Sequence, residues 1–210
     1  GSEDTLLDEH KLQFSALVGA RICHDLISPI GAINNGMELL SMSGAPQSPE
    51  IELIAQSVDA ANARIRFFRI AYGATSTEQF LGRSEITSIL RDFTKGSRLV
   101  LNWHPLEDVT RSEVQLVFLA IQCAEQALPY GGHVEIERLR GRWSLALSGE
   151  RISLDQDLWD YLAGISEFKP EAYRETIPAH VQFLLLPMHA RDLDRTPNYT
   201  QSETEVTLLV

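Results

Sequence analysis

His24 stands in Arg21-Ile22-Cys23-His24-Asp25-Leu26-Ile27-Ser28-Pro29-Ile30-Gly31, beside a carboxylate and five residues before a proline. A neutral imidazole titrates near neutrality, so it can act there as a base or as a nucleophile. Either role needs an open ring. On a helix His24 lies about 200° from both Ile22 and Leu26, so it points away from the apolar stripe Val18, Ile22, Leu26, Ile30, Ile33, Met37 and Leu40. Its own face holds Ala20, Arg21, Ile27, Ser28, Gly31 and Asn35, mostly small or polar, which makes a shallow shelf and a candidate partner-binding surface. The plain alternative is a solvated surface histidine. Pro29 weighs against it, because a proline inside a helix costs about 3 kcal/mol and crowds the carbonyl four residues earlier, that of Asp25. A local irregularity is expected there.

The elements that must carry this histidine follow from hydrophobic spacing. Apolar residues at steps of three and four predict one helix from Asp4 to Met42, and Ser43-Gly44-Ala45-Pro46-Gln47-Ser48-Pro49 predicts a turn, with Ser48 as cap of the next helix. That second helix carries Ile51, Ile54, Val58, Ala61, Ile65, Phe68 and Tyr72. Two helices cannot cover each other's stripes on both sides, so two hairpins from two chains should form a four-helix bundle around a twofold axis. Ser76–Arg83 reads as a linker, dividing residues 1–75 from 76–210. Beyond it the chain alternates. Helices are expected at Ser84–Lys95, Arg111–Leu128, within Leu154–Ala163 and at Ala179–Asp194, where Pro187 should disturb the last. Strands are expected at Arg98–Trp103, His133–Arg138, Trp143–Leu147 and Glu205–Val210, giving an α+β fold with a mostly antiparallel sheet.

Composition removes several function classes. Eighteen basic against 29 acidic residues leave a net charge of -11, which repels phosphate backbones and argues against nucleic acid. Cys23 and Cys123 form no CxxC pair, and His10, His104, His133, His180 and His189 show no ligand spacing, so no bound metal is expected. The stretch Val181–Met188 falls short of the roughly 20 residues of a membrane span, and no basic-then-apolar signal segment opens the chain. A cytoplasmic protein without a membrane partner is expected.

The pattern His24-Asp25-Leu26-x-Ser28-Pro29-x-x-Ala32-Ile33 resembles the phospho-accepting box of dimeric histidine kinases. With Phe68-Arg69-Ile70-Ala71-Tyr72-Gly73-Ala74, Ala127-Leu128-Pro129 and Gly131-Gly132 in the same order, nearly the whole chain is similar to the alphaproteobacterial histidine phosphotransferases of the ChpT family. The resemblance implies a homodimer that relays a phosphoryl group between receiver-domain aspartates through His24. The donor would be a hybrid histidine kinase and the acceptors cell-cycle response regulators of the CtrA and CpdR type. Asp25 would hydrogen-bond the imidazole and fix its tautomer, or else be a solvated helix charge. Mg²⁺ would come with the receiver's own acidic pocket, leaving no cofactor bound by this chain.

The second half resembles the ATP-binding domain of histidine kinases with its motifs gone, a degenerate α/β sandwich. Ile121-Gln122-Cys123-Ala124 offers no Asn-Ala pair for magnesium, Ser148-Gly149-Glu150-Arg151 no aspartate for adenine, and Gly164 is the only glycine after Gly149. Without glycine-rich backbone to approach phosphates, tight ATP binding has no physical basis. Gly131-Gly132 reads as a hairpin turn rather than a phosphate cradle, and Arg138, Arg140 and Arg142 as a solvated hairpin face. Two rivals remain: a non-catalytic adaptor that only docks receivers, which would form no phosphohistidine, and an ATP-dependent kinase, which would label itself from ATP alone.

Overall fold

The computed structural model describes residues 2–44, 48–166 and 178–210, with side chains omitted for 2–13 and 15. Helix α1 (Ser2–Ser43) and helix α2 (Pro49–Ala71) form the expected antiparallel hairpin. α1 runs through Pro29 without a break, against the expected irregularity. Packing along α2, rather than local propensity, carries the helix across it. Gly44 ends α1 at φ +63°, while Ser48 occupies the N-cap of α2 without its hydroxyl taking the cap hydrogen bond. Ala45, Pro46 and Gln47 of the expected turn lie outside the described residues.

Beyond the hairpin come strand β1 (Phe80–Leu81), helix α3 (Arg83–Thr94), strands β2 (Leu99–Trp103) and β3 (Val109–Thr110), and helix α4 (Arg111–Ala127). They are followed by strands β4 (Gly132–Leu139) and β5 (Arg142–Ser148), helix α5 (Gln156–Leu162) and a 3₁₀ turn at Pro178–His180. Helix α6 (Gln182–Asp192) and strands β6 (Asn198–Gln201) and β7 (Glu205–Leu209) complete the fold. The main sheet has the order β2-β4-β5-β7-β6, with only the β2–β4 pair parallel. Every second residue of its central strands, Val134 and Ile136, Trp143, Leu145 and Leu147, Val206 and Leu208, is buried on the helical side.

Several expectations need correction. The Ser76–Arg83 segment is no loose linker: β1 pairs with β3, the Ser76 hydroxyl accepts from the amides of Glu78 and Gln79, and Ser112 donates to the Ser76 carbonyl. Gly131-Gly132 is not the hairpin turn either. The β4–β5 hairpin turns at Arg140 (φ 52°) and Gly141 (φ 77°), a pair of left-handed residues that matches strand twist. Gly131 and Gly132 instead let β4 start between neighbouring chains, since a Cβ would lie 2.4 Å from the Arg98 carbonyl oxygen or 2.2 Å from that of Ser148. Pro187 sits within α6, which continues through it.

Phe68, expected on the stripe awaiting a second chain, is buried against this chain's own C-terminal half. The last turns of α2 enter that core. Phe67 stacks between Phe93 (centroids 3.9 Å apart) and Phe118 (4.6 Å), so one apolar cluster crosses residue 75 and fixes the hairpin to the sheet. The rest of the hairpin is less well covered: Ile30, Met37, Ile51, Val58 and Ile65 remain exposed. Contrary to the sequence reading, Ala16–Ser43 is long and apolar enough to cross a membrane, with a mean hydropathy of 1.3 in its best window. Arg21, His24 and Asp25 lie inside that stretch.

Glu113 joins the first turn of α4 to both edges of the hairpin. Its carboxylate accepts from Trp143 Nε1 (2.7 Å) and from both terminal nitrogens of Arg195, with Arg138 Nη2 at 3.8 Å. Arg138 also lies over the Trp143 ring, and Arg142 donates to the Thr196 carbonyl, so only Arg140 of the three hairpin arginines is left as a solvated charge. Burial pushes the Glu113 carboxyl up, but the hydrogen bonds from Arg195 and Trp143 and the charges of Arg195 and Arg138 outweigh it and hold it below its usual range. The folded state therefore prefers the ionised form more than the unfolded chain does. Its contribution is complete above the ordinary value of 4.5 and fades as pH falls through the lower folded value. Glu113→Gln should cost about 3 kcal/mol at pH 7, roughly 6–12 °C in melting temperature, with a smaller penalty toward pH 3. Thermal melts across that range check it, and an unchanged melting temperature at pH 7 would show that the network contributes nothing.

Candidate functional site

α1 projects His24 from the hairpin as its face requires, and 71% of the side chain is exposed. The ring is nonetheless held. Its Nδ1 lies 3.2 Å from Asp25 Oδ1. An ionised carboxylate can only accept, so this contact places the proton on Nδ1 and leaves the Nε2 lone pair facing outward. Nε2 has no partner among the described residues. The arrangement can present a neutral nitrogen nucleophile to a group approaching from solvent.

Asp25 is not a solvated helix charge. Its side chain is 11% exposed, and Oδ2 receives Arg21 Nε at 3.1 Å, one helical turn back, with Arg64 Nη1 of α2 at 3.6 Å. Arg64 also sits over the Phe93 ring, 4.6 Å from its centroid, which anchors it to α3. Arg21 departs from the sequence reading. Expected on the open shelf, its side chain is only 6% exposed and turns inward. There Nη1 donates to the Ala179 carbonyl (2.7 Å) and to Gln182 Oε1 (2.9 Å). The reason is chemical: a guanidinium offers several donors, and the carboxylate and the C-terminal acceptors together satisfy more of them than water at an exposed face would in one geometry.

The remaining shelf residues stay outside. Ala20, Ser28 and Asn35 are exposed, Gly31 is half-buried, and Ile27 is 67% exposed. A Cβ at Gly31 would meet nothing within 4 Å, so that glycine is not required by packing inside this chain. Gly36 is the opposite case, with a Cβ only 2.7 Å from Ile54 Cγ1, and it sets how closely α1 and α2 pack. Beside His24 a groove of about 320 Å³ opens between the two helices, lined by Asp25, Ser28, Ala32, Gln56, Ala60 and Arg64.

Sequence reasoning missed Arg64, Ala179 and Gln182. Arg64 lies one residue off the apolar stripe of α2 and looks there like any exposed helix cation. The Arg21 contacts with Ala179 and Gln182 span 158 and 161 residues, beyond any local spacing rule. Glu125, at the end of α4, belongs to the same neighbourhood. Burial raises its carboxyl and the Asp25 charge adds to this, against the pull of Arg64 and Arg21.

The α4 segment compared with the magnesium-binding pair of the ATP-binding fold is filled by the chain itself. Cys123 is fully buried, and burial lifts its thiol well above the usual range. Gln122 Oε1 accepts from the Tyr72 hydroxyl (2.8 Å), and the Gln122 carbonyl accepts from Gln182 Nε2 (3.4 Å). Burial pushes the Tyr72 hydroxyl up to about 12, so it stays a donor at neutral pH.

A family model describing the histidine phosphotransferase C-terminal domain matches residues 83–205, more than half of the chain. The chain belongs to the histidine phosphotransferase family. Among curated proteins, this phosphotransferase is 29% identical over 166 residues to the protein phosphotransferase ChpT of Brucella abortus (strain 2308), covering 76% of this chain and 78% of that one. Among solved structures, a bacterial phosphotransferase determined at 1.7 Å superposes with a TM-score of 0.77 at 25% identity, covering 94% of this chain and 95% of its own. The histidine kinase AdeS of Acinetobacter baumannii aligns over 89% of this chain and 95% of its own at a TM-score of 0.44 and 11% identity. The family resemblance seen in the motifs is thus to the ChpT type, and phosphoryl transfer is the activity of the histidine phosphotransferase described here.

Proposed function

We propose that this histidine phosphotransferase relays a phosphoryl group between receiver aspartates through a phosphohistidine at His24. The observation that carries the reading is an exposed imidazole whose Nδ1 is held by Asp25 and whose Nε2 is open. In the first step the Nε2 lone pair attacks phosphorus of an aspartyl phosphate. The P–O bond breaks, its electron pair leaves on the aspartate carboxylate, and an N–P bond forms. The ring gains positive charge while keeping its Nδ1 proton, and the Asp25 carboxylate faces that charge. In the second step the N–P bond breaks toward another receiver's carboxylate and its electron pair returns to Nε2. No net proton is exchanged. Mg²⁺ arrives in the receiver's pocket, and a hybrid histidine kinase upstream with cell-cycle regulators of the CtrA and CpdR type downstream fits the ChpT resemblance.

The chain is proposed to work as a cytoplasmic homodimer. Exposed Ile30, Met37, Ile51, Val58 and Ile65 form an apolar face larger than single surface residues explain. A second hairpin covers that face better than lipid does, because Arg21, His24 and Asp25 lie within the apolar length of α1. Nucleotide binding is not expected, since Gln122 and Cys123 are packed under Tyr72 and α6. The net charge of -11 disfavours nucleic acid. Ala20, Ile27, Ser28, Gly31 and Asn35 would then form the receiver-facing shelf.

Incubation with a CtrA-type receiver phosphorylated on its aspartate should give acid-labile label on this chain, and His24→Ala should abolish it without lowering the melting temperature. Label surviving on the pure variant would overturn the assignment, label acquired from ATP alone would favour the kinase, and no label at all would favour the adaptor. Gly31→Arg should slow transfer from the same receiver while sedimenting, like the unaltered protein, at twice the 23.5 kDa chain mass. Normal transfer would remove Gly31 from the docking surface, and a monomeric unaltered chain would exclude the bundle.

A further inference from the structure

We infer that the C-terminal half positions the His24 imidazole through a clamp in which Gln182 and the Ala179 carbonyl hold Arg21, Arg21 holds Asp25, and Asp25 holds Nδ1. This rests on the reading of His24 as the phosphoryl acceptor, and it gives the sheet-bearing half a role in transfer that needs no nucleotide.

Each link is a separate contact. Gln182 is 1% exposed, and its amide is oriented because Nε2 donates to the Gln122 carbonyl, which turns Oε1 toward Arg21. The Arg21 guanidinium spends Nη1 on Oε1 and on the Ala179 carbonyl, leaving Nε aimed along α1 at Asp25 Oδ2. With Oδ2 occupied by Arg21 and faced by Arg64, Oδ1 is the atom left for His24 Nδ1. The carboxylate cannot rotate freely, since turning it would strand a nearly buried guanidinium. An exposed imidazole has little else to hold it. Without the clamp the proton would distribute between the two ring nitrogens, and the Nε2 lone pair would be available only part of the time.

Arg21 and Gln182 are therefore positioning residues, and neither touches the phosphoryl group. The shape of the guanidinium matters as well as its charge. Lysine at 21 carries the charge on one nitrogen and cannot face Asp25 and the two C-terminal acceptors in the same fork.

The test uses the full chain with ¹⁵N-labelled histidine and phosphoramidate, a small donor that needs no receiver. Long-range ¹⁵N–¹H spectra report the His24 tautomer, and the labelling rate at His24 followed against pH reports Nε2 nucleophilicity. In the unaltered protein the ring should be predominantly the Nδ1–H form. Gln182→Met removes the acceptor at nearly constant volume and should yield a mixture of tautomers, with labelling slowed about tenfold and a shifted pH profile. Arg21→Lys should reproduce the loss, which provides the decision if Gln182→Met folds poorly. An unchanged tautomer and rate in folded Gln182→Met or Arg21→Lys would overturn the clamp. The tautomer needs no phosphoryl donor, so a clamp that holds while receivers fail to label His24 would refute the relay reading and not this one.

Discussion

A buried guanidinium placed between two parts of a chain is a constraint that the rest must satisfy. Arg21 leaves water near the middle of a long helix, and an uncompensated charge there would cost several kcal/mol. Its compensation comes from both sides: Asp25 on the same helix, Ala179 and Gln182 from the far end of the sequence. α1 is therefore tied to the turn before α6 as well as to α2. The aromatic stack of Phe67 with Phe93 and Phe118 does for α2 what Arg21 does for α1, by apolar burial instead of charge. Between them these two contacts set the hairpin on the sheet. The exposed histidine sits directly above the polar one.

A second set of contacts closes the sheet-bearing half around α4. Tyr72 from the hairpin and Gln182 of α6 pack over it, and the side-chain oxygen and the backbone carbonyl of Gln122 each accept a hydrogen bond from within the chain. Cys123 is a small apolar filler there, its thiol kept neutral by burial. Glu113 performs a similar service at the other end of α4, where it joins Trp143 and Arg195. The C-terminal half thus serves as a frame that carries charge and aromatic contacts to the hairpin. On the hairpin's outer side Ile30, Met37, Val58 and Ile65 have no such frame among the described residues, and this exposed face is the ground for the proposed pairing with a second copy.

Much of this was legible from local pattern. The three-four spacing of Val18 to Leu40 placed α1 within two residues at each end, and the alternation of Val134 and Ile136 with Trp143, Leu145 and Leu147 placed the central hairpin. The pair β1 and β3 was not, because two-residue strands show no period and exist only through each other. β6 escaped for a related reason, since Asn198–Gln201 is polar and edges the sheet, so no apolar face announces it. At the site, His24 and Asp25 were found by adjacency and by their position opposite the stripe. The orientation of Arg21 was not, because a helix wheel gives the direction of a Cβ while a guanidinium reaches several ångströms past it to wherever acceptors lie. Phe68 shows the same limit: its stripe position was right, but the partner covering it came from this chain.

The proposed relay requires that His24 offer Nε2 to phosphorus while Asp25 holds Nδ1. It is tested most directly by transferring phosphoryl from a phosphorylated receiver to ¹⁵N-histidine-labelled protein and reading which nitrogen carries the ³¹P coupling. A single phosphohistidine is expected, at His24, bonded through Nε2. Phosphorus on Nδ1 of His24, or on another residue, would contradict it.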